Sequence, residues 1–354
     1  MPFLKKLSAL ILLSAVALLA GCNAVVMKPS GDIAMQQRDL ILISTGLMLL
    51  IIIPVIVLTL VFAYRYRHTN KDAQYEPDWD HSTGLELIIW SAPLAIIIAL
   101  GSITWISTHT LDPYRPLDRI DAGRGVPTGT KPLEVDVVAL DWKWLFIYPE
   151  QGIATVNEMA APVDRPITFR ISASNVMNSF FVPALAGQIY AMPGMETKLH
   201  AVINEPGEFE GFSANYSGAG FSHMRFKFHG LSTADFDKWV ATAKTSKESL
   251  DRPGYLELER PSERDPVRHY ASVAPDLFDA IVNRCVEANR MCMKDMMAID
   301  ANGGLSLPGA SNLAGSVAMP PLVSGVMGKP ARTYVASMCT AADPAGAALA
   351  PQPL

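Results

Sequence analysis

The side chains with the most chemical reach in this chain are a few sulfurs and one carboxylate. There are four cysteines, Cys22, Cys285, Cys292 and Cys339. None lies between residues 22 and 285, so a thiolate metal site in the middle of the chain is excluded by inventory alone. A helix running from Asp276 through Met293 would hold Cys285 and Cys292 about 10 Å apart along its axis. A disulfide needs Cα atoms within roughly 7 Å, so those two could pair only if the helix breaks between them. Around Cys292 the run "MCMKDMM" collects thioethers soft enough to attract Cu(I); the plainer reading is a methionine-rich tail without a metal. Glu86 is the one ionisable residue in a long apolar run. It is either a functional group, since burying its charge is costly, or an interfacial carboxylate solvated by the neighbouring loop. His81 and Asp80 read as solvated loop residues.

The elements that must carry these groups begin with a targeting segment. Lys5 and Lys6 precede an apolar stretch, residues 7–19, too short to span a bilayer. It ends in "LAGC", which resembles a bacterial lipobox, so residues 1–21 read as a signal peptide and Cys22 as the lipidated first residue. An ordinary export signal that happens to precede a cysteine is the alternative. Residues 22–39 follow as a segment outside the membrane. Residues 40–64 then carry no charge and would make a helix of about 37 Å, enough for a hydrocarbon core of roughly 30 Å. Residues 85–108 form a second such run. Pro54 and Pro93 inside the runs are tolerable in membrane helices. Export of the N-terminus places the loop 65–84, with Arg65, Arg67 and Lys71, on the inner side, as the positive-inside rule prefers. Everything after about residue 110 is then periplasmic, an oxidising compartment where Cys285, Cys292 and Cys339 can form at most one pair among themselves. The net charge of −5 gives no electrostatic case for nucleic acid.

From residue 133 short apolar or alternating runs sit between turn residues: "LEVDVVAL", "PITFRISAS", "SFFVPAL", "ETKLHAVI", "GEFEGFSAN" and "MRFKFH". These predict a β-sandwich or small Greek-key barrel over residues 131–230. Next, "STADFDKWVATAK" places Ser232 three residues before Asp235, a capping arrangement, with Phe236, Trp239, Val240 and Ala243 on one face. A further helix is expected from Pro275 or Asp276, turning Leu277, Phe278, Ile281, Val282 and Cys285 inward. Residues 231–300 read as a helical region, and 301–354, rich in Gly, Ala, Ser and Pro, as a disordered tail.

Two spans followed by a periplasmic sandwich resemble subunit II of the haem–copper respiratory oxidases. The stretches that carry the resemblance are "LDWKWLFIYPEQGIATVNE", "NVMNSFFVPALAGQIYAMPGM" and "SANYSGAGFSHM". The implied fold is membrane-anchored α+β: a transmembrane hairpin, a cupredoxin-like Greek-key sandwich and short C-terminal helices. In the cytochrome c oxidases of this family the last stretch, with one His from the stretch before it, holds two copper ions through two bridging Cys, two His, one Met and a backbone carbonyl. The matching positions here are Ser213 and Ser217 for the thiolates, Asn178 and Phe221 for the imidazoles, Met224 for the thioether and Asn215 for the carbonyl. Only Met224 keeps a ligand side chain, and His223 stands two residues from the needed position. The quoted stretches match most closely the quinol-oxidase branch, the cytochrome bo-type ubiquinol oxidases.

That resemblance implies a chain with no cofactor of its own, in the bacterial inner membrane, packed on a subunit I that holds the haems, the copper and the ubiquinol site. Subunits III and IV would complete the complex, inner-membrane lipid would surround it, and no cytochrome c would dock. It also implies that Glu86 lies at the mouth of a proton-uptake pathway, and that Trp142 and Trp144 pack rather than conduct electrons. Two alternatives stay open: a cytochrome c oxidase subunit with an atypical metal site, and a free-standing lipoprotein with a binding or assembly role.

Overall fold

The computed structural model describes residues 24–74, 76 and 78–301. The segment read as a signal peptide, Cys22, the tail from residue 302 and Cys339 lie outside the described residues.

Two long helices come first, α1 (Asp32–Arg65) and α2 (Thr83–Thr110), packed side by side as a hairpin. Both are long and apolar enough to cross a membrane, and both run through their proline without interruption. The first starts eight residues before the apolar run, because Asp32 is held at its N-terminus by the body of the protein. There the chain meets the sandwich edge: the Ser30 and Gly31 N–H groups donate to the Ala184 carbonyl at 2.9 and 2.8 Å. A Cβ on Gly31 would stand 2.5 Å from the Leu185 carbonyl oxygen, so only glycine allows this approach.

The sandwich has ten strands of its own: β1 (Leu133–Leu140), β2 (Lys143–Tyr148), β3 (Ile153–Val156), β4 (Glu158–Pro162), β5 (Ile167–Ala173), β6 (Asn178–Phe181), β7 (Ile189–Ala191), β8 (Thr197–Ala201), β9 (Gly207–Ser213) and β10 (Arg225–Leu231). One sheet runs β8-β5-β1-β2-β3 and is extended by a strand from the C-terminal region, β11 (Arg268–Tyr270). The other runs β4-β10-β9-β6-β7. The β5–β1 and β10–β4 pairs are parallel and the rest antiparallel, the mixed pattern of a Greek-key fold. Six of these strands fall on the six predicted runs. Between the sheets Phe180 stacks on Phe226 at 5.5 Å, and Trp144, fully buried, stands edge-on to both.

Helix α3 (Thr233–Lys244) starts as its sequence predicts, with Ser232 Oγ accepting the Asp235 N–H at 3.2 Å. Phe236, Val240 and Ala243 are buried, and Trp239 packs edge-on to Tyr148. A second apolar cluster lies on the outer face of the first sheet, where α4 (Arg252–Glu259) and α5 (Leu277–Val282) cover Val138, Leu145 and Val156. The segment carrying α4 is tied down by Lys143, only 2% exposed, whose Nζ donates to the Arg260 carbonyl at 2.9 Å and lies 3.0 Å from Asp265.

Two expectations about the C-terminal region need correcting. The helix from Asp276 is shorter than its apolar spacing suggests, ending at Val282, and residues 283–292 form a loop before α6 (Met293–Ala301). Cys285 is therefore buried from that loop and not from a helix face. The break removes the 10 Å separation, and Cys285 and Cys292 form a disulfide with Cα atoms 4.8 Å apart.

Arg170 on β5 joins this region to the sheet. Its guanidinium meets Glu134 at 3.1 Å, Glu196 at 3.2 Å, Asp279 of α5 at 3.1 Å and buried Asp136 at 3.5 Å. Burial, with Glu134, Glu196 and Asp279 adding to it against the opposing pull of Arg170, pushes the Asp136 carboxyl up to about 7. The folded state therefore binds this proton more tightly than the unfolded chain. Stability from this group is complete below the ordinary carboxylate range and falls as pH rises toward about 7. Asp136→Asn should stabilise the detergent-solubilised chain by about 1–3 kcal/mol at pH 8 and by almost nothing at pH 4. Thermal melts at the two pH values check this; an equal effect at both would remove Asp136 as the cause.

Candidate functional site

The loop joining β9 to β10 brings together the positions that match a copper loop. Ser213 ends β9 and lies beside the start of β6, in register with Phe180. Its Oγ donates to Asn178 Oδ1 at 3.1 Å and accepts the Ser179 N–H at 3.4 Å. Asn215 Nδ2 donates to the Met177 carbonyl at 3.2 Å. Phe221 stands edge-on to Tyr216, with centroids 5.6 Å apart. Met224 is buried in the sandwich core, its carbonyl accepting the Ser213 N–H. His223 is exposed and meets Arg264 at 3.1 Å.

Trp142 closes the loop from the side. Its Nε1 donates to the Ser217 carbonyl at 3.0 Å. Its ring lies so close to the turn that a Cβ on Gly218 or Gly220 would be 2.8 or 2.6 Å from it. Gly218 also has φ +122°, so two independent constraints select glycine there.

The chemistry of these donors does not fit a pair of coppers. Two hydroxyls, an amide and a benzene ring occupy the places of two thiolates and two imidazoles, leaving one soft ligand, Met224. Among the described residues no group of three or more His, Cys, Asp or Glu side chains is placed to hold a metal ion. Both described cysteines of the C-terminal region are consumed by their disulfide. Met293 of "MCMKDMM" packs its sulfur over the turn at Gly194, and Met296 and Met297 are exposed.

Glu86 lies in the first turn of α2, at the opposite end of the hairpin from the sandwich. Its Oε1 is 2.8 Å from His81 Nδ1, and His81 Nε2 is 3.1 Å from Thr83 Oγ1. His81 is a solvent-exposed loop residue, as expected, and is also Glu86's partner. The pair could have been suspected from its spacing, but a loop histidine five residues before a helical carboxylate has no fixed geometry until the helix start is known.

A second constellation was invisible in the sequence. Glu158 on β4 stands between two imidazoles, with His229 of β10 at 3.1 Å and His269 of β11 at 2.6 Å. It joins the second sheet to the strand contributed by the C-terminal region, and Trp239 packs edge-on to His269. The three residues come from separate stretches, so no local pattern announces them.

Comparison with known proteins agrees with this architecture. Residues 133–230 match the family described as "Cytochrome C oxidase subunit II, periplasmic domain", and residues 244–289 match "COX Aromatic Rich Motif". The chain is 54% identical to "Cytochrome bo(3) ubiquinol oxidase subunit 2" of Pseudomonas putida over 77% of its own length and 84% of that protein. For the protein of the same description from Pseudomonas aeruginosa the figures are 52%, 75% and 78%. For "Ubiquinol oxidase subunit 2" of Acetobacter aceti they are 49%, 76% and 85%. Identity at this level over three quarters of the chain shows that it belongs to the ubiquinol oxidase subunit 2 family.

Proposed function

We propose that this chain is the second subunit of a proton-pumping ubiquinol oxidase of the inner membrane and carries no redox centre itself. The observation that carries the reading is the chemistry of the β9–β10 loop. Ser213 is hydrogen-bonded to Asn178, the Ser217 carbonyl accepts from Trp142 and Phe221 packs on Tyr216, where a copper-bearing subunit needs soft anionic sulfur and imidazole. An oxidase fed by a membrane-dissolved quinol has no need to take electrons from a soluble protein docking on the periplasmic domain. The sandwich then acts as a structural cap on subunit I, which holds the haems, the copper and the quinol site. Glu86, paired with His81, serves proton uptake from the inner side. Lipid on Cys22 would be a third attachment to the membrane beside the two spans. Subunits III and IV complete the assembly.

Purification by a C-terminal tag in mild detergent tests this. The expected preparation shows haem absorbance, copper no greater than subunit I's own site accounts for, and oxygen uptake with ubiquinol but not with reduced cytochrome c. Extra copper together with oxidation of cytochrome c would overturn the loop reading. A colourless, partnerless protein would overturn the subunit assignment and favour the free-standing lipoprotein.

A further inference from the structure

A cavity of about 290 Å³ lies where the two spans meet the underside of the sandwich. Its floor is the start of α1, with Gln36 and Gln37, and the end of α2, with Thr110 and Leu111. Its roof comes from the sandwich edge and includes Leu199 and His200. The height of this space follows from the helices. Gln37 stands three residues before the apolar run of α1, and Thr110 two residues after that of α2, within about 5 Å of the hydrocarbon boundary on each. The cavity therefore opens at the headgroup layer of the outer leaflet.

Its walls are amphipathic. Ile33, Leu111, Pro113 and Leu199 supply apolar surface, while charge comes from the linker after α2. Arg119 is already committed, donating twice to buried Asp32 at 2.9 and 3.0 Å. Arg115 is half-exposed and meets Asp118 through one nitrogen at 2.6 Å, which leaves most of its five N–H donors for another acceptor. Asp112, three residues earlier in the same wall, spends Oδ1 on the Tyr114 N–H and keeps its other carboxylate oxygen as an acceptor for a cation. His200 adds no charge at neutral pH, because burial and then Lys198 lower its proton affinity. Beyond the Arg119–Asp32 pair, the wall thus offers one cation, Arg115, and two carboxylates, Asp118 already on one of its nitrogens and Asp112 three residues before it. The volume, at the lower end of small-ligand pockets, suits a headgroup but not a whole lipid.

We propose that this cavity binds the headgroup of a zwitterionic phospholipid of the outer leaflet, its phosphate on Arg115 and its ammonium on Asp112. The glycerol lies against Leu111 and Ile33, and the acyl chains descend beside the spans. The mixed charge of the wall selects phosphatidylethanolamine over phosphatidylglycerol, whose net negative charge Asp112 and Asp118 oppose. The bound lipid would fill the seam between spans and sandwich and so stiffen the cap.

Native mass spectrometry of the complex purified in mild detergent tests this, with Arg115→Glu, Asp112→Asn and Gln37→Trp as variants. The last fills the cavity without changing its charge. The wild type is expected to retain one phosphatidylethanolamine that is reduced at least tenfold in Arg115→Glu and Gln37→Trp and partly in Asp112→Asn. Equal retention in all four proteins overturns the site. Preferential retention of phosphatidylglycerol overturns the headgroup assignment. Equal protection of the wild type against thermal disassembly by soluble phosphoethanolamine, without acyl chains, would assign the cavity to a free periplasmic solute and overturn the lipid. If Arg115→Glu does not assemble, Asp112→Asn and Gln37→Trp carry the decision.

Discussion

Replacing Asp32 with alanine should weaken the join between the first span and the periplasmic domain by about 3 kcal/mol, the low end for breaking a buried ion pair. Asp32 is 2% exposed at the first turn of α1, where it receives two N–H groups from Arg119 and one from Gln36 at 2.7 Å. Its negative charge also suits the N-terminal end of a helix. Removing it strands the Arg119 guanidinium over a surface built to receive it. Arg119 itself is 37% exposed and can partly rehydrate, which keeps the cost at the low end. The double variant Asp32→Ala, Arg119→Ala should recover part of the loss, since no lone charge is then left behind. Heat-driven loss of this subunit from the purified complex measures both. A double variant as unstable as Asp32→Ala alone would mean that the pair acts through its shape and not its charge.

The contrast between that pair and the β-sandwich shows what a sequence displays and what it hides. Strands such as 133–140 and 207–213 announced themselves because apolar runs are bounded by turn residues, a local signal that survives without tertiary knowledge. β3 and β4 did not. They are four and five residues long, fully or mostly buried, and separated by a single residue, Asn157, in a left-handed conformation. Gly152 and Pro162 mark their outer limits, but no alternation marks the strands and no glycine or proline marks the turn between them. The copper-loop positions were legible by type, because two hydroxyls, an amide and a benzene ring are poor copper ligands whatever the fold. How those side chains are held was not legible. The Ser213–Asn178 bond and the Trp142 lid depend on three segments meeting, as do Glu158 with its two histidines and Asp32 with an arginine 87 residues away. The disulfide shows the same limit from the other side: the distance rule was right, but only the structure places a loop between Cys285 and Cys292.

Glu86 gives the largest expected functional effect. It occupies the first turn of α2, 49% exposed on the isolated chain, at the end away from the sandwich of a helix that carries no other acidic or basic residue until His109. On the proposed reading this carboxylate takes up a proton from the inner solution and passes it on, which an amide of the same shape cannot do. On the proposed reading Glu86→Gln should slow ubiquinol-driven oxygen uptake at least tenfold, toward the range measured for loss of a positioned proton-transfer group. Haem content and subunit assembly should stay at the wild-type level. Glu86→Asp keeps the titratable group and should recover much of the rate. His81→Gln should cost less than Glu86→Gln, because the imidazole holds Oε1 at 2.8 Å but the carboxylate remains to carry the proton. Oxygen-electrode rates, with haem quantified for each preparation, distinguish the outcomes. Full activity in Glu86→Gln with intact haem would remove this residue from proton uptake and return it to the role of a solvated interfacial side chain. A loss shared equally by Glu86→Asp would point to packing of the span end in its place, since the two carboxylates differ in reach and not in chemistry.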